Sequence, residues 1–227
     1  MNNTIVIDHI DSATQVQRNR VLRNTYWLLA LSMIPTVLGA YIGVQTGIMA
    51  SLRGGFGLVV FLAGAFGFMF AIEKTKNSGM GVAVLLAFTA FMGLMLSGLL
   101  THTLRFSNGA QLIMLAFGAT AGIFFAMASW ATVIKTDLSS LGKWLFVGVL
   151  VVFVGMLANF FIASGPLMVV LSMAAVGIFS AFMLYDVKRI IDGGETNYIS
   201  ATLALYLDVF NVFQNLLALF GIFGGEE

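Results

Sequence analysis

Charge is what this chain has least of. Asp, Glu, Lys and Arg make up 9% of it and hydrophobic residues 59%, with a mean hydropathy of +0.98. Soluble domains carry about 25% charged residues, so a water-facing globule is excluded: too little polar surface exists to cover one. The formal net charge of +1 gives no electrostatic footprint for nucleic acid. Cysteine is absent, which removes disulfides, thiolate zinc sites and thiol chemistry. Histidine occurs twice, as His9 and His102, both outside the long apolar runs, so no His-based metal site or triad forms within them. A GxSxG elbow and an HExxH motif are also missing. The residues up to Arg23 are polar, with Asp8, His9, Asp11, Arg18 and Arg20 among them. A cleavable signal peptide needs an apolar stretch close behind the N-terminus, so the first apolar run is expected to stay as an anchor.

What the chain has instead is a series of apolar runs of membrane length. About 20 apolar residues cross a bilayer as a helix, and such runs fall at 25–44, 55–72, 80–100, 110–134, 144–163, 167–186 and, more weakly, 199–223. The expected class is an all-α integral membrane protein of seven transmembrane helices, since helices satisfy their own backbone groups where lipid cannot. Its parts are a polar cytoplasmic tail at 1–23, a transmembrane domain at 24–223 and a short C-terminal tail at 224–227. Nine of the 11 basic residues (Arg18, Arg20, Arg23, Lys74, Lys76, Lys135, Lys143, Lys188 and Arg189) fall on one side of this arrangement. Only Arg53 and Arg105 lie opposite. The basic side is the cytoplasmic one, which puts the N-terminus inside and, with seven spans, the C-terminus outside. Six spans with a re-entrant last segment is the rival, and the basic count does not decide between them.

Small residues suit close helix crossings. Gly39/Gly43 and Gly118/Gly122 are GxxxG pairs. Pro35 in the first span removes a helical hydrogen bond, and Ser32 is placed to satisfy the freed carbonyl. The 13 methionines and 21 phenylalanines read as packing and lipid-facing residues.

Chemistry is expected where polarity sits at membrane depth. An aspartate at a helix centre costs about 2.5–3.5 kcal/mol on insertion scales. Asp186 lies near the end of the sixth run and Asp208 well inside the seventh, and both are equally far from Asn197 in the intervening connection. In a helical hairpin such residues share a depth, so the two carboxylates can face each other. Asn197, Ala201, Ala204, Asp208, Asn211 and Asn215 recur at helical spacing and form one small, polar stripe. A polar stripe in a membrane helix faces the bundle interior or water, which makes Ala201, Ala204, Asn211 and Asn215 candidates for lining a path, with Asn159 of the fifth run added. Two close carboxylates cannot both ionise cheaply, so they titrate as a unit: a proton sensor, and when ionised a weak, transient site for a hard cation such as calcium. Asp186 and Asp208 are therefore the expected gate and the only expected metal ligands, with no resident cofactor. The bland alternative is a structural hydrogen bond, with the asparagines as interhelical glue. Lys188 and Arg189 are placed to neutralise Asp186. The one enzymatic alternative, an intramembrane aspartyl hydrolase on the same pair, is set aside, and the chain is read as a non-enzyme.

The run Gly193-Gly194-Glu195-Thr196-Asn197-Tyr198-Ile199, followed by Ala201-Thr202 and Leu205-Tyr206-Leu207-Asp208, resembles the C-terminal region of the Bax inhibitor-1 family. With Val21-Leu22-Arg23-Asn24-Thr25-Tyr26 it looks like the bacterial YccA-like branch. The resemblance implies seven helices with the last one enclosed by a ring of six, in a bacterial inner membrane. It implies a pH-sensitive calcium leak controlled by an aspartate pair, matched here by Asp186 and Asp208 although other YccA-like proteins lack that pair. It implies a basic latch ending the second helix, where this chain has Lys74 and Lys76 rather than arginine, beside Glu73. It also implies a competing role, as a modulator bound to a membrane-anchored AAA protease of the FtsH type, with the polar N-terminal segment as handle.

Overall fold

The computed structural model describes the backbone at residues 2–52 and 54–225, and side chains at 15–49, 51–52 and 54–225. Arg53, Glu226 and Glu227, which entered the topology reading, lie outside the described residues, as do the side chains of Asp8, His9 and Asp11. Seven α-helices follow one another: α1 (Asn2–Thr46), α2 (Gly54–Thr75), α3 (Gly79–Thr103), α4 (Gly109–Val133), α5 (Ser139–Ile162), α6 (Gly165–Ile191) and α7 (Tyr198–Gly224). All seven contain a stretch long and apolar enough to cross a membrane, and no strand occurs among the described residues. The last segment is one continuous helix of 27 residues, so seven helices stand where the rival reading had six and a re-entrant loop.

Helix ends follow capping chemistry more closely than hydropathy. The polar segment at 2–23 is helical and continuous with the first span, in a single helix of 45 residues. No Gly or Pro precedes Pro35, so nothing in the sequence breaks the helix there. Helix α5 begins upstream of the apolar run because Asp137 accepts from the Ser139 N–H and hydroxyl at 2.8 and 3.0 Å. Those hydrogen bonds hold the Asp137 carboxyl below the usual carboxylate range. Helix α6 continues past Asp186 to Ile191 with Lys188 and Arg189 in its last turn, where basic side chains oppose the helix dipole. Asn197 caps α7, its Oδ1 accepting from the N–H groups of Ile199 and Ser200.

In lipid the hydrophobic effect does not drive helices together, and close packing must do so. Helices α1 and α3 meet through glycine. A Cβ on Gly39 would overlap the Ala90 carbonyl, one on Gly43 the Ser97 side chain, and one on Gly93 the Thr36 carbonyl. The other pair, Gly118 and Gly122, faces open space on α4 and takes no part in packing within the chain. Ser32 donates to the carbonyl of Leu29, not to that of Leu31, the one Pro35 frees; the expected rescue is two residues out of place.

The main core draws on every helix but α5, with Phe88, Leu85, Ile72, Ile190, Leu205 and Tyr206 fully buried. Half of α7's most apolar window is buried, against 11% for α5. Helix α7 packs against α1, α2, α3, α4 and α6, whereas α5 rests on α6 and adds no residue to the main core. Five packed neighbours thus stand where a ring of six was expected. Large apolar side chains such as Trp27, Trp144 and Phe161 point outward, as a lipid-facing surface requires.

Candidate functional site

The site is the α6–α7 hairpin and begins with its turn. The N–H groups of Gly193 and Gly194 bond back to the carbonyls of Ile190 and Arg189. Gly193 adopts φ 81°, a conformation that side-chain-bearing residues rarely take. Its missing side chain matters as well: a Cβ there would lie 2.6 Å from Nε of Arg18 on α1. Asn197 then ties this turn to the α2–α3 connection, donating from Nδ2 to the Lys76 carbonyl at 3.0 Å and to Asn77 Oδ1 at 2.9 Å. Asn197 begins the stripe in sequence, but in the structure it is a cap and a clamp. The rest of the GGETNY run serves the same turn: Glu195 Oε1 accepts from the Asn197 N–H at 2.9 Å, and Tyr198 opens α7 after Thr196.

Along α7 the stripe passes Ala201 and Ala204 to Asp208, Asn211 and Asn215. Ala201, Asp208 and Asn215 are buried, and Ala204 and Asn211 are half-buried. The carboxyls of Asp186 and Asp208 lie within side-chain hydrogen-bonding range of one another. Asp208 is 4% exposed, and its Oδ2 is buried without a hydrogen-bond partner. No ion pair among the described residues involves either aspartate. The groups whose charge acts on Asp186, besides Asp208, are Arg189 and Glu195.

Two asparagines of the stripe turn their amides back on their own helix: Asn211 Nδ2 donates to Leu207 at 2.7 Å and Asn215 Nδ2 to Asn211 at 2.8 Å. Neither bonds to another helix among the described residues, so the interhelical-glue alternative gains nothing from them. Asn159 leaves the path-lining set. Its Oδ1 accepts from the Ser164 N–H at 3.0 Å and closes the α5–α6 turn, on a helix that does not pack against α7. The expected latch is not formed: Lys74 Nζ sits 4.5 Å above the Phe70 ring, and Lys76 pairs with Glu73. Among the described residues no group of three or more His, Asp or Glu side chains converges to hold a metal ion.

Two features escaped the sequence reading. Tyr206, one turn before Phe210, is buried with its hydroxyl 2.9 Å from Thr36 Oγ1 and 3.4 Å from the Thr89 carbonyl. It joins α7 to α1 and α3; a tyrosine two residues before a membrane-depth aspartate was the available signal. At the far end of α7, a cavity of about 500 Å³ is lined by His102, Thr103, Phe106, Leu217 and Ala218, with Ala218 one turn beyond Asn215.

The family described as "Inhibitor of apoptosis-promoting Bax1" matches residues 18–225. The modulator of FtsH protease YccA of Escherichia coli K12 is 36% identical over 217 residues, covering 96% of each chain. Its counterpart in Escherichia coli O6:H1, named an inner membrane protein, is equally similar. An uncharacterized protein of Neisseria meningitidis serogroup A is 33% identical over 95% of this chain and 96% of its own length. With the family matched across the hairpin and the helices that hold it, and relatives collinear over nearly their whole length, the chain belongs to the Bax inhibitor-1 family.

Proposed function

We propose that this protein is a non-enzymatic membrane regulator of a bacterial inner membrane that acts on an FtsH-type AAA protease. The observation that carries this reading is the end-to-end similarity to the Escherichia coli protein named as such a modulator. The length of α1 supports it. At 1.5 Å per residue its 45 residues extend about 67 Å, roughly twice the hydrocarbon thickness of a bilayer. About half of α1 therefore stands clear of lipid at the basic end, which charge asymmetry assigns to the cytoplasm. Deleting residues 2–17 is expected to abolish co-purification with the host protease while leaving membrane insertion intact, because no span is removed. Undiminished co-purification takes the arm out of the interface.

The carboxyl pair favours a second, compatible reading: a pH-sensitive calcium leak gated by Asp186 and Asp208. A buried aspartate with an unpartnered oxygen costs stability that simple helix packing does not require, and the stripe through Asn211 and Asn215 leads from it towards the cavity at the far end of α7. Purified protein in calcium-dye liposomes is expected to conduct, since a protease modulator as such need not; dye silence at every pH rejects the leak.

Both readings share one orientation, with the N-terminus cytoplasmic and the C-terminus external. A reporter active only outside the cytoplasm, fused after Glu227, gives signal on this reading. Signal from the same reporter fused within 73–77 instead reverses the orientation.

A further inference from the structure

We propose that the groove between α1 and the first turn of α7, at the basic end of the bundle, binds an anionic phospholipid, with Arg20 and Arg23 receiving the phosphate and the apolar floor an acyl chain. The site involves neither the aspartate pair nor the protease, so it is separate from both functional readings.

The groove measures about 400 Å³ and is lined by Asn24, Trp27, Leu28 and Leu31 of α1 and by Tyr198 of α7. Its α1 wall is ordered as a phospholipid is. Arg20, Asn24, Trp27 and Leu31 recur at i, i+4, i+7 and i+11 and so share one face of the helix. At 1.5 Å per residue they cover about 17 Å along it. A guanidinium comes first, then an amide, an indole and a leucine. Arg23 stands one turn before Trp27 and flanks the same face. The apolar run begins near Thr25, so Arg20 and Arg23 lie at headgroup level and Leu31 at chain level. Beyond Leu31 the face stays apolar and exposed at Ile34 and Leu38, which lets a chain continue along α1.

The polar groups of this wall are free to take a ligand. Among the described residues, the Asn24 amide and the Tyr198 hydroxyl make no hydrogen bond, and Arg20 and Arg23 make no ion pair. The acidic side chains of the adjoining turn are already engaged: Asp192 meets Lys188 at 2.7 Å and Glu195 meets Arg189 at 3.5 Å. Two exposed guanidiniums beside an amide and a phenol leave a positive rim, the complement of a phosphate. A zwitterionic lipid also brings a cation to that rim, which offsets the attraction; an anionic lipid does not. Trp27 is 73% exposed and sits at the edge of the apolar run, where aromatic side chains mark the membrane interface. Placed there, the groove faces lipid rather than a soluble partner.

The test reads Trp27 fluorescence in the full-length protein, with Trp130→Phe and Trp144→Phe leaving Trp27 as the one indole of the three. Phosphatidylcholine vesicles carry brominated phosphatidylglycerol or, at the same low mole fraction, brominated phosphatidylcholine as quencher. The anionic lipid is expected to quench Trp27 preferentially. Arg20→Gln and Arg23→Gln should each lower that preference about fivefold, the attraction of one basic side chain to an anionic leaflet. Asn24→Leu should lower it too, although it leaves the rim charge intact and so would not alter a purely electrostatic attraction. A protein keeping only Trp144, which follows Lys143 on α5 and is 75% exposed, should show a weaker preference. Equal quenching of Trp27 by the two lipids, equal preference at Trp27 and Trp144, or unchanged preference in both arginine variants overturns the site. Relief of the quenching by inorganic phosphate also overturns it, because the site is then one for free anions. Neither calcium flux nor protease co-purification enters the readout, so failure here leaves both functional readings where they were.

Discussion

Asp208→Asn, and equally Asp186→Asn, is expected to flatten the pH response of calcium flux through the reconstituted protein. On the leak reading, the facing carboxyls share a proton at low pH, which draws α6 and α7 together. As pH rises that proton leaves, and two like charges about 4 Å apart repel by about 4 kcal/mol at an effective dielectric of 20. No basic side chain pairs directly with either aspartate among the described residues, so the repulsion is relieved by separation of the helices or by a cation. Helix α7 is fastened on its other side by Tyr206 to α1 and α3, which directs the response towards α6. An asparagine keeps the shape and can share a hydrogen bond but never acquires charge, so the repulsion is not built up. Calcium competes with protons for the same oxygens, so added calcium should shift the parent's pH response and not that of the variants. Dye-loaded liposomes over a pH series read this directly. Should both variants retain the parent's pH dependence, the pair is a structural hydrogen bond and not a sensor.

The hairpin itself was legible because its signals are local. Asp186 and Asp208 stand out against apolar runs, and their equal spacing from Asn197 follows from helical rise alone. The seven helices were legible for the same reason, as hydropathy measures lipid-compatible length. Their ends were less so, since α5 and α7 begin where Asp137 and Asn197 accept from the first N–H groups rather than where the chain turns apolar. Long-range partners were not legible. Asn159 has the chemistry of a path-lining residue, but its oxygen is used by the turn after α5, which is not among the helices packed against α7. Lys74 and Lys76 sit where a latch was expected, yet nearby Phe70 and Glu73 engage them first. Arg189 was named as a neutraliser of Asp186, but its seat against Glu195 depends on how the turn folds back through Gly193.

The two GxxxG pairs make the same point with the larger structural consequence. They are indistinguishable in sequence and opposite in the fold, which predicts opposite responses to one methyl group. Gly93→Ala and Gly39→Ala are expected to destabilise the protein strongly. Each Cβ would enter the space of a backbone carbonyl on the facing helix, that of Thr36 or Ala90, and backbone cannot yield as a flexible side chain does. Overpacking in a well-packed core costs about 1–3 kcal/mol, and here the α1–α3 crossing must open to admit the methyl. That crossing also carries Thr36 and Thr89, the two residues that hold Tyr206, so the damage should spread to α7 and flatten or abolish any flux. Gly118→Ala and Gly122→Ala meet nothing within 4 Å. In a helix interior alanine is favoured over glycine by about 0.5–1 kcal/mol, so both should be neutral or slightly stabilising. Thermal unfolding in one detergent, with fluorescence-detected size exclusion as a second readout, compares the four variants directly. Equal losses at Gly93 and Gly118 would mean that the α1–α3 glycines are not the close contact that holds these helices together.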